Sequence, residues 1–119
     1  ISKDVWGAFN DSDIETIRKS YYAMNVEADN LLGAVIDAMN RNGFNLSNTI
    51  IYFTADHGEM NMDHRQIWKN SMYEGSSRIP LFYAGPGIQK QIVKNATQII
   101  DMLPTLIELG TGDRSKIPA

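Results

Sequence analysis

The stretch "NTIIYFTADHG", residues 48 to 58, is a run of β-branched and aromatic residues, 48 to 55, that stops at Asp56-His57-Gly58. Apolarity that is continuous rather than alternating suits a strand covered on both faces, since an alternating strand would leave every second side chain in water. It predicts a parallel sheet. "RIPLFYAG", residues 78 to 85, repeats the signature, with Pro80 near its start, where a missing ladder donor is tolerated, and Gly85-Pro86-Gly87 as its stop.

On either side of these two strands the spacing predicts helices. Over residues 12 to 42, Ser12 and Glu15 form a capping box, and Ile14, Ile17, Tyr21, Met24, Ala28, Leu31, Val35 and Met39 follow at three- or four-residue steps up to Gly43. Charged residues between them give one packed side and one wet side. A short "TQII" strand, residues 97 to 100, leads to Asp101 as the N-cap of a helix through Leu109, with Pro104 in its first turn, Gly110 past its end and a loose polar tail. The order helix, strand, loop, strand, strand, helix predicts α/β, with helices packed on a mainly parallel sheet.

Composition narrows the function classes. The chain has 119 residues, one domain's length, and 43% hydrophobic with 21% charged residues is ordinary globular usage. A net charge of -3, with scattered lysines and arginines, offers no field for a polyanion and argues against nucleic acid. No apolar run approaches the roughly 18 residues of a membrane span. The start, "ISKDVWGAFN", has neither an apolar leader segment nor a methionine, so the chain reads as an excised piece. The absence of cysteine excludes disulfides, thiolate metal sites and cysteine nucleophiles within it. Sequons at Asn10-Asp-Ser, Asn45-Leu-Ser and Asn95-Ala-Thr suit a secreted or lysosomal protein if the source is eukaryotic; a bacterial one would be extracytoplasmic or cytoplasmic. No feature specifies an oligomeric state.

Chemistry concentrates in the connection after the first strand. Ligands gather outside the carboxyl ends of strands in open sheets, and Asp56 and His57 stand there. A carboxylate and an imidazole could both turn to one metal, with Gly58 letting the backbone bend behind them; the same pair also reads as an N-cap beside a surface histidine. Lys69 could meet an anionic substrate or simply be solvated. His64 reads first as a hydrogen-bonded loop residue, then as a second ligand or proton donor. Glu59 and Asp63 extend a metal site or lie in water.

The run "IIYFTADHGEMNMDHRQIWKNSMYEGSSRIPLFYAGPG", residues 50 to 87, resembles the sulfatase family of the alkaline phosphatase-like superfamily, in which an apolar strand ends in Asp-His-Gly or Asp-Asn-Gly and a lysine follows. The likeness extends back through "YYAMNVEADNLLGAVIDAMNRNG" and forward through "IIDMLPTLIELG", and the Asp-His-Gly-Glu, His-Arg-Gln and Ser-Met-Tyr-Glu groups resemble the arylsulfatase K-like branch. The resemblance implies an alkaline phosphatase-like three-layer α/β sandwich with a mainly parallel sheet, of which residues 1 to 119 are the C-terminal part of the catalytic domain. It makes Asp56 and His57 ligands of a divalent cation, usually calcium, and Lys69 a contact to the sulfate group. His64 matches a recurrent family histidine. An imidazole suits manganese or zinc better than calcium, so the metal stays open.

The family's nucleophile is a formylglycine made from a Cys/Ser-x-Pro-x-Arg motif, which this sequence lacks along with a second acidic ligand pair. The expectation is therefore a piece of a sulfuric ester hydrolase acting on a sugar or aryl sulfate ester, inactive alone. Two alternatives stand beside it. One is a phosphodiesterase, phosphonate hydrolase or phosphopentomutase-like enzyme of the same superfamily; the other is a non-catalytic binding or structural unit that keeps the fold.

Overall fold

A computed structural model describes residues 9–118. The stretch 1–8, on which the reading of the start of the chain rests, lies outside the described residues. Helix α1 spans Asp11–Arg41 and is capped differently from the expected Ser12/Glu15 box. Asn10 Oδ1 accepts from the Asp13 amide at 3.0 Å and the Asp13 carboxylate accepts from the Asn10 amide at 3.1 Å. Asparagine caps as well as serine does, and an N3 aspartate closes the box as a glutamate would, so the box forms two residues earlier. Ser12 and Glu15 lie inside the helix, where Glu15 pairs with Lys19 at 2.7 Å. The helix ends at Gly43 as expected. With Gly43 at φ +82°, its amide donates to Asn40 O at 3.2 Å and that of Phe44 to Met39 O at 3.0 Å, the paired bonds of a Schellman turn.

The apolar stripe of α1 is not packed as expected. Met24, Leu31 and Val35 are more than half exposed, and no α1 residue is buried. A helical period decides which side chains share a face, but burial also needs a second layer, which the described residues do not place there.

Strands β1, Ile51–Thr54, and β2, Leu81–Ala84, form a two-stranded sheet, and it is antiparallel. This corrects the parallel reading for these two strands. A continuous apolar run reports cover on the faces and not strand direction, and here the chain folds back through residues 55–80 without a long helix. Register pairs Tyr52 with Tyr83 and Phe53 with Phe82, whose rings meet edge-on at 4.6 Å and stacked at 4.8 Å. Such cross-strand aromatic pairs contribute about 0.2–1 kcal/mol each. Pro80 directly precedes β2, where its missing N–H costs no ladder bond, and its carbonyl accepts from Thr54 Oγ1 at 2.9 Å. Neither strand is fully buried. Among the described residues the buried side chains are Met60, Met62 and Ser76, so the tightest packing there lies in the connection between the strands.

Residues 89–118 belong to a second compact unit, described by itself. The expected strand at 97 to 100 is a 3-10 turn, Ile99–Asp101. The Asp101 carboxylate accepts from the Gln98 amide at 2.8 Å, which curls the segment, and the described residues bring no strand alongside it to pair with. Helix α3, Met102–Thr111, therefore follows an Asp101 that is already helical and gives it no side-chain cap bond. Pro104 falls in the first turn, where amides have no helical partner to lose. The helix runs past Gly110 and stops at Gly112, φ +66°, whose amide donates to Glu108 O at 2.8 Å. Beyond it the tail is structured: Asp113 caps a 3-10 turn, Arg114–Lys116, and Arg114 reaches Glu108 at 3.5 Å. No helix among the described residues is long and apolar enough to cross a membrane.

Candidate functional site

Asp56 follows the end of β1 by one residue, Ala55, as the sequence placed it. Its Oδ1 accepts from the His57 amide at 3.0 Å, which orients the carboxylate along the turn. His57 Nδ1 lies 2.8 Å from Gly58 O. A carbonyl only accepts, so Nδ1 carries the proton and Nε2 of a neutral ring is left with a bare lone pair. That Nε2 faces Asp56 Oδ2 at 3.4 Å.

Two electron-rich atoms turned toward one another, on side chains 38% and 79% exposed, can share a cation or be bridged by water. Adjacent ligands each about 2.0–2.5 Å from one metal ion stand roughly this far apart. A backbone carbonyl holding the other ring nitrogen is the usual way a ligating histidine is oriented. The donor set thus fits a divalent cation, with Asp56 Oδ2 and His57 Nε2 as the side chains that would hold it. Among the described residues no third His, Asp or Glu joins them.

Gly58 serves close approach here rather than a left-handed bend. Its φ is not among the positive ones, but a Cβ on it would overlap the carbonyl oxygen of Gly75 and stand 3.2 Å from that of Ser76. The Gly58 amide donates to Ser76 O at 2.8 Å. Ser76, buried at the foot of the short helix α2, Glu74–Ser77, also donates its hydroxyl to Lys69 O. One buried residue therefore ties the backbone beside His57 to the backbone of Lys69. The Lys69 side chain is exposed and forms no ion pair with the described residues.

Between Gly58 and Lys69 the chain makes a tight loop. Asn61, Met62, His64, Arg65 and Trp68 have φ between +47° and +72°. Each such non-glycine residue costs on the order of 1 kcal/mol, so contacts must impose the shape. Met60 is fully buried, with Ser71 Oγ against its sulfur at 3.1 Å and Gly75 packed on it. Met60 and Met62 amides donate to Trp68 O and Gln66 O at 2.9 and 2.8 Å. From α1, Arg18 reaches Asn61 O at 3.2 Å and Asp63 Oδ1 at 3.1 Å, and Arg65 reaches back to Phe9 O at 3.4 Å.

The remaining sequence candidates find separate places. Glu59 directs Oε1 at the amides of Asn61, 3.1 Å, and Trp68, 2.6 Å. Asp63 pairs with Arg18. His64, at φ +51°, stacks on Tyr73 with ring centroids 3.9 Å apart and planes 15° from parallel. Sequence reasoning missed Arg18, Gly75 and Ser76, whose partners lie far along the chain; only the glycine-serine pair inside an otherwise bulky segment hinted at a close approach.

The family model described as Sulfatase matches residues 3–112. The chain belongs to the sulfatase family. This sulfatase chain is 46% identical over 109 residues to the arylsulfatase K of Xenopus laevis, covering 91% of the chain and 20% of that protein. Its identity to the Danio rerio arylsulfatase K is 41% over 110 residues, 92% of the chain and 21% of the relative. The Homo sapiens arylsulfatase K is 40% identical, with 91% and 20% covered. The sulfatase chain thus spans about a fifth of the length of the curated relatives it matches. Family membership implies an alkaline phosphatase-like α/β fold and divalent-metal dependence for the family, and agrees with the expectation drawn from the Asp-His-Gly-Glu and Ser-Met-Tyr-Glu groups.

Proposed function

We propose that this chain is the later part of the catalytic domain of a formylglycine-dependent sulfatase, within a three-layer sandwich completed by residues outside it. In that reading Asp56 and His57 hold a divalent cation, with calcium first and manganese or zinc next, and Lys69 contacts the sulfate group of a sugar or aryl ester. The reading rests most on the 3.4 Å approach of His57 Nε2 to Asp56 Oδ2 with Nδ1 committed to Gly58 O. The sulfatase family model and the names of the arylsulfatase K relatives support it.

A cation held there would draw charge from the sulfate oxygens as the ester bond breaks. The residues of this chain do the rest. Lys69 contributes a fixed positive charge to oxygens that become more negative in the transition state, and does so without a proton transfer. Gly58 and Ser76 hold the two charge-bearing segments on one backbone scaffold, so less reorganisation is needed as the reaction proceeds. The sequence carries no Cys/Ser-x-Pro-x-Arg motif, so the nucleophile comes from elsewhere in the protein and the isolated chain is inactive.

Calorimetry with calcium tests the assignment on the full-length protein. The parent should bind the ion and Asp56→Ala and His57→Ala should bind it at least tenfold more weakly, an effect of the size seen for lost ligands and their supports. Equal binding by the parent and both variants refutes the ligand assignment. Aryl sulfate hydrolysis by the isolated, contaminant-free chain refutes the shared site.

A further inference from the structure

We infer that Glu59 is a positioning residue of this site, shaping the 59–69 loop so that Lys69 is presented correctly to the sulfate group. The inference rests on the sulfatase reading of Lys69. A glutamate directly after Asp56-His57-Gly58 looks like a further metal ligand, but its Oε1 is engaged with two backbone amides, those of Asn61 at 3.1 Å and Trp68 at 2.6 Å. It is not part of any group of three metal-ligating side chains among the described residues.

Those two amides mark the opening and the closing of the loop. Both residues have disfavoured positive φ, +47° for Asn61 and +72° for Trp68, and Trp68 directly precedes Lys69. Pinning the Trp68 amide therefore sets the direction in which the chain enters Lys69. The bonds to an ionised carboxylate are stronger than those between neutral groups, which suits a clamp on a strained segment. Met60 donating to Trp68 O at 2.9 Å and Met62 donating to Gln66 O at 2.8 Å complete the ladder that the carboxylate closes. Ser76 then receives the chain by donating its hydroxyl to Lys69 O. Glu59 thus acts on the sulfate group through Lys69, without touching it.

The test is a double-mutant cycle on the full-length protein, with Glu59→Ala, Lys69→Ala and the pair, read as kcat and KM on an aryl sulfate, calcium affinity by calorimetry and thermal midpoint. Glu59→Ala is expected to lower kcat/KM by about tenfold or more, the usual effect of removing a supporting group. Calcium affinity should stay within about twofold, and the same substitution should have little further effect once Lys69 is alanine, because residues acting as a unit are not additive. Glu59→Gln keeps an acceptor oxygen and should restore most of the activity. Full additivity, an unchanged kcat/KM in Glu59→Ala, or a loss of calcium binding like that of Asp56→Ala each overturns the inference. Should Glu59→Ala fail to fold, Glu59→Asp, whose shorter side chain draws the carboxylate back from the Asn61 and Trp68 amides, carries the cycle, and an equal effect with and without Lys69 overturns the inference. An unchanged Lys69→Ala enzyme overturns the Lys69 assignment and this inference together, whereas additivity overturns this inference alone.

Discussion

Gly58 lies so close to Gly75 that a single methyl group on its Cα would overlap the Gly75 carbonyl oxygen. Both partners in that approach are backbone, so neither can swing aside as a side chain would. Gly58→Ala should destabilise the full-length protein by about 1–3 kcal/mol, the ordinary cost of forcing atoms into a filled space. Because Gly58 follows His57 directly, calcium affinity should fall with stability. Thermal unfolding with and without calcium checks both, and a variant as stable and as well metallated as the parent would contradict the close approach.

Lys69→Ala should lower kcat/KM on an aryl sulfate by about a hundredfold, as removal of one charge-stabilising group at a reacting oxygen does, while calcium binding is unchanged. Lys69→Arg keeps the charge but not the compact ammonium, and recovers only part of the loss. Steady-state kinetics paired with calorimetry separates this outcome from general damage to the site.

Arg18 joins α1 to the loop through both Asn61 O and Asp63. The ion pair is 43% and 65% exposed on its two side chains, and screening leaves such a pair worth well under about 1 kcal/mol. Arg18→Ala should cost more than Asp63→Ala, because it also strips the bond to Asn61 O from a loop of disfavoured φ. Denaturant midpoints of the two variants at low and high salt would show the order, with only the Asp63 share sensitive to salt.

Asp113 gives a pH prediction in the second unit. Hydrogen bonds from the Ser115 side chain and then from its amide hold the carboxyl below the usual aspartate range. A lowered folded value means that the contribution is complete above the unfolded value and disappears as pH falls through the folded one. The turn Arg114–Lys116 should therefore survive mild acid and loosen only below the ordinary carboxylate range. An NMR titration should show the Asp113 carboxyl and the Ser115 amide moving together, with a midpoint below that of the unfolded chain. Asp113→Asn should abolish the transition.

Much of this molecule was legible without coordinates, because much of it is local. The period of Ile14, Ile17 and Tyr21 and the glycine at 43 marked α1, and the β-branched run 48 to 55 marked β1, since both signals act over three or four residues. The cap moved by two residues because Asn10 and Ser12 compete on nearly equal terms for one job. The Asp-His-Gly-Glu group pointed to the family, and Asp56 and His57 are neighbours in sequence, so their approach needed only one turn of backbone to form.

The sequence by itself determined α1, β1, β2 and α3, where the charge-bearing residues fall and to which family the chain belongs, though the strand it suggested at 97 to 100 is a 3-10 turn. Tertiary structure alone decided that β1 and β2 run antiparallel, that Glu59 spends its carboxylate on the Trp68 amide, that His64 rests on Tyr73, and that Gly58 is needed for room beside Gly75. Periodicity and turn chemistry are properties of adjacent residues. Strand direction, a carboxylate's partner and the space left for a Cβ belong to atoms that meet only once the chain has closed on itself.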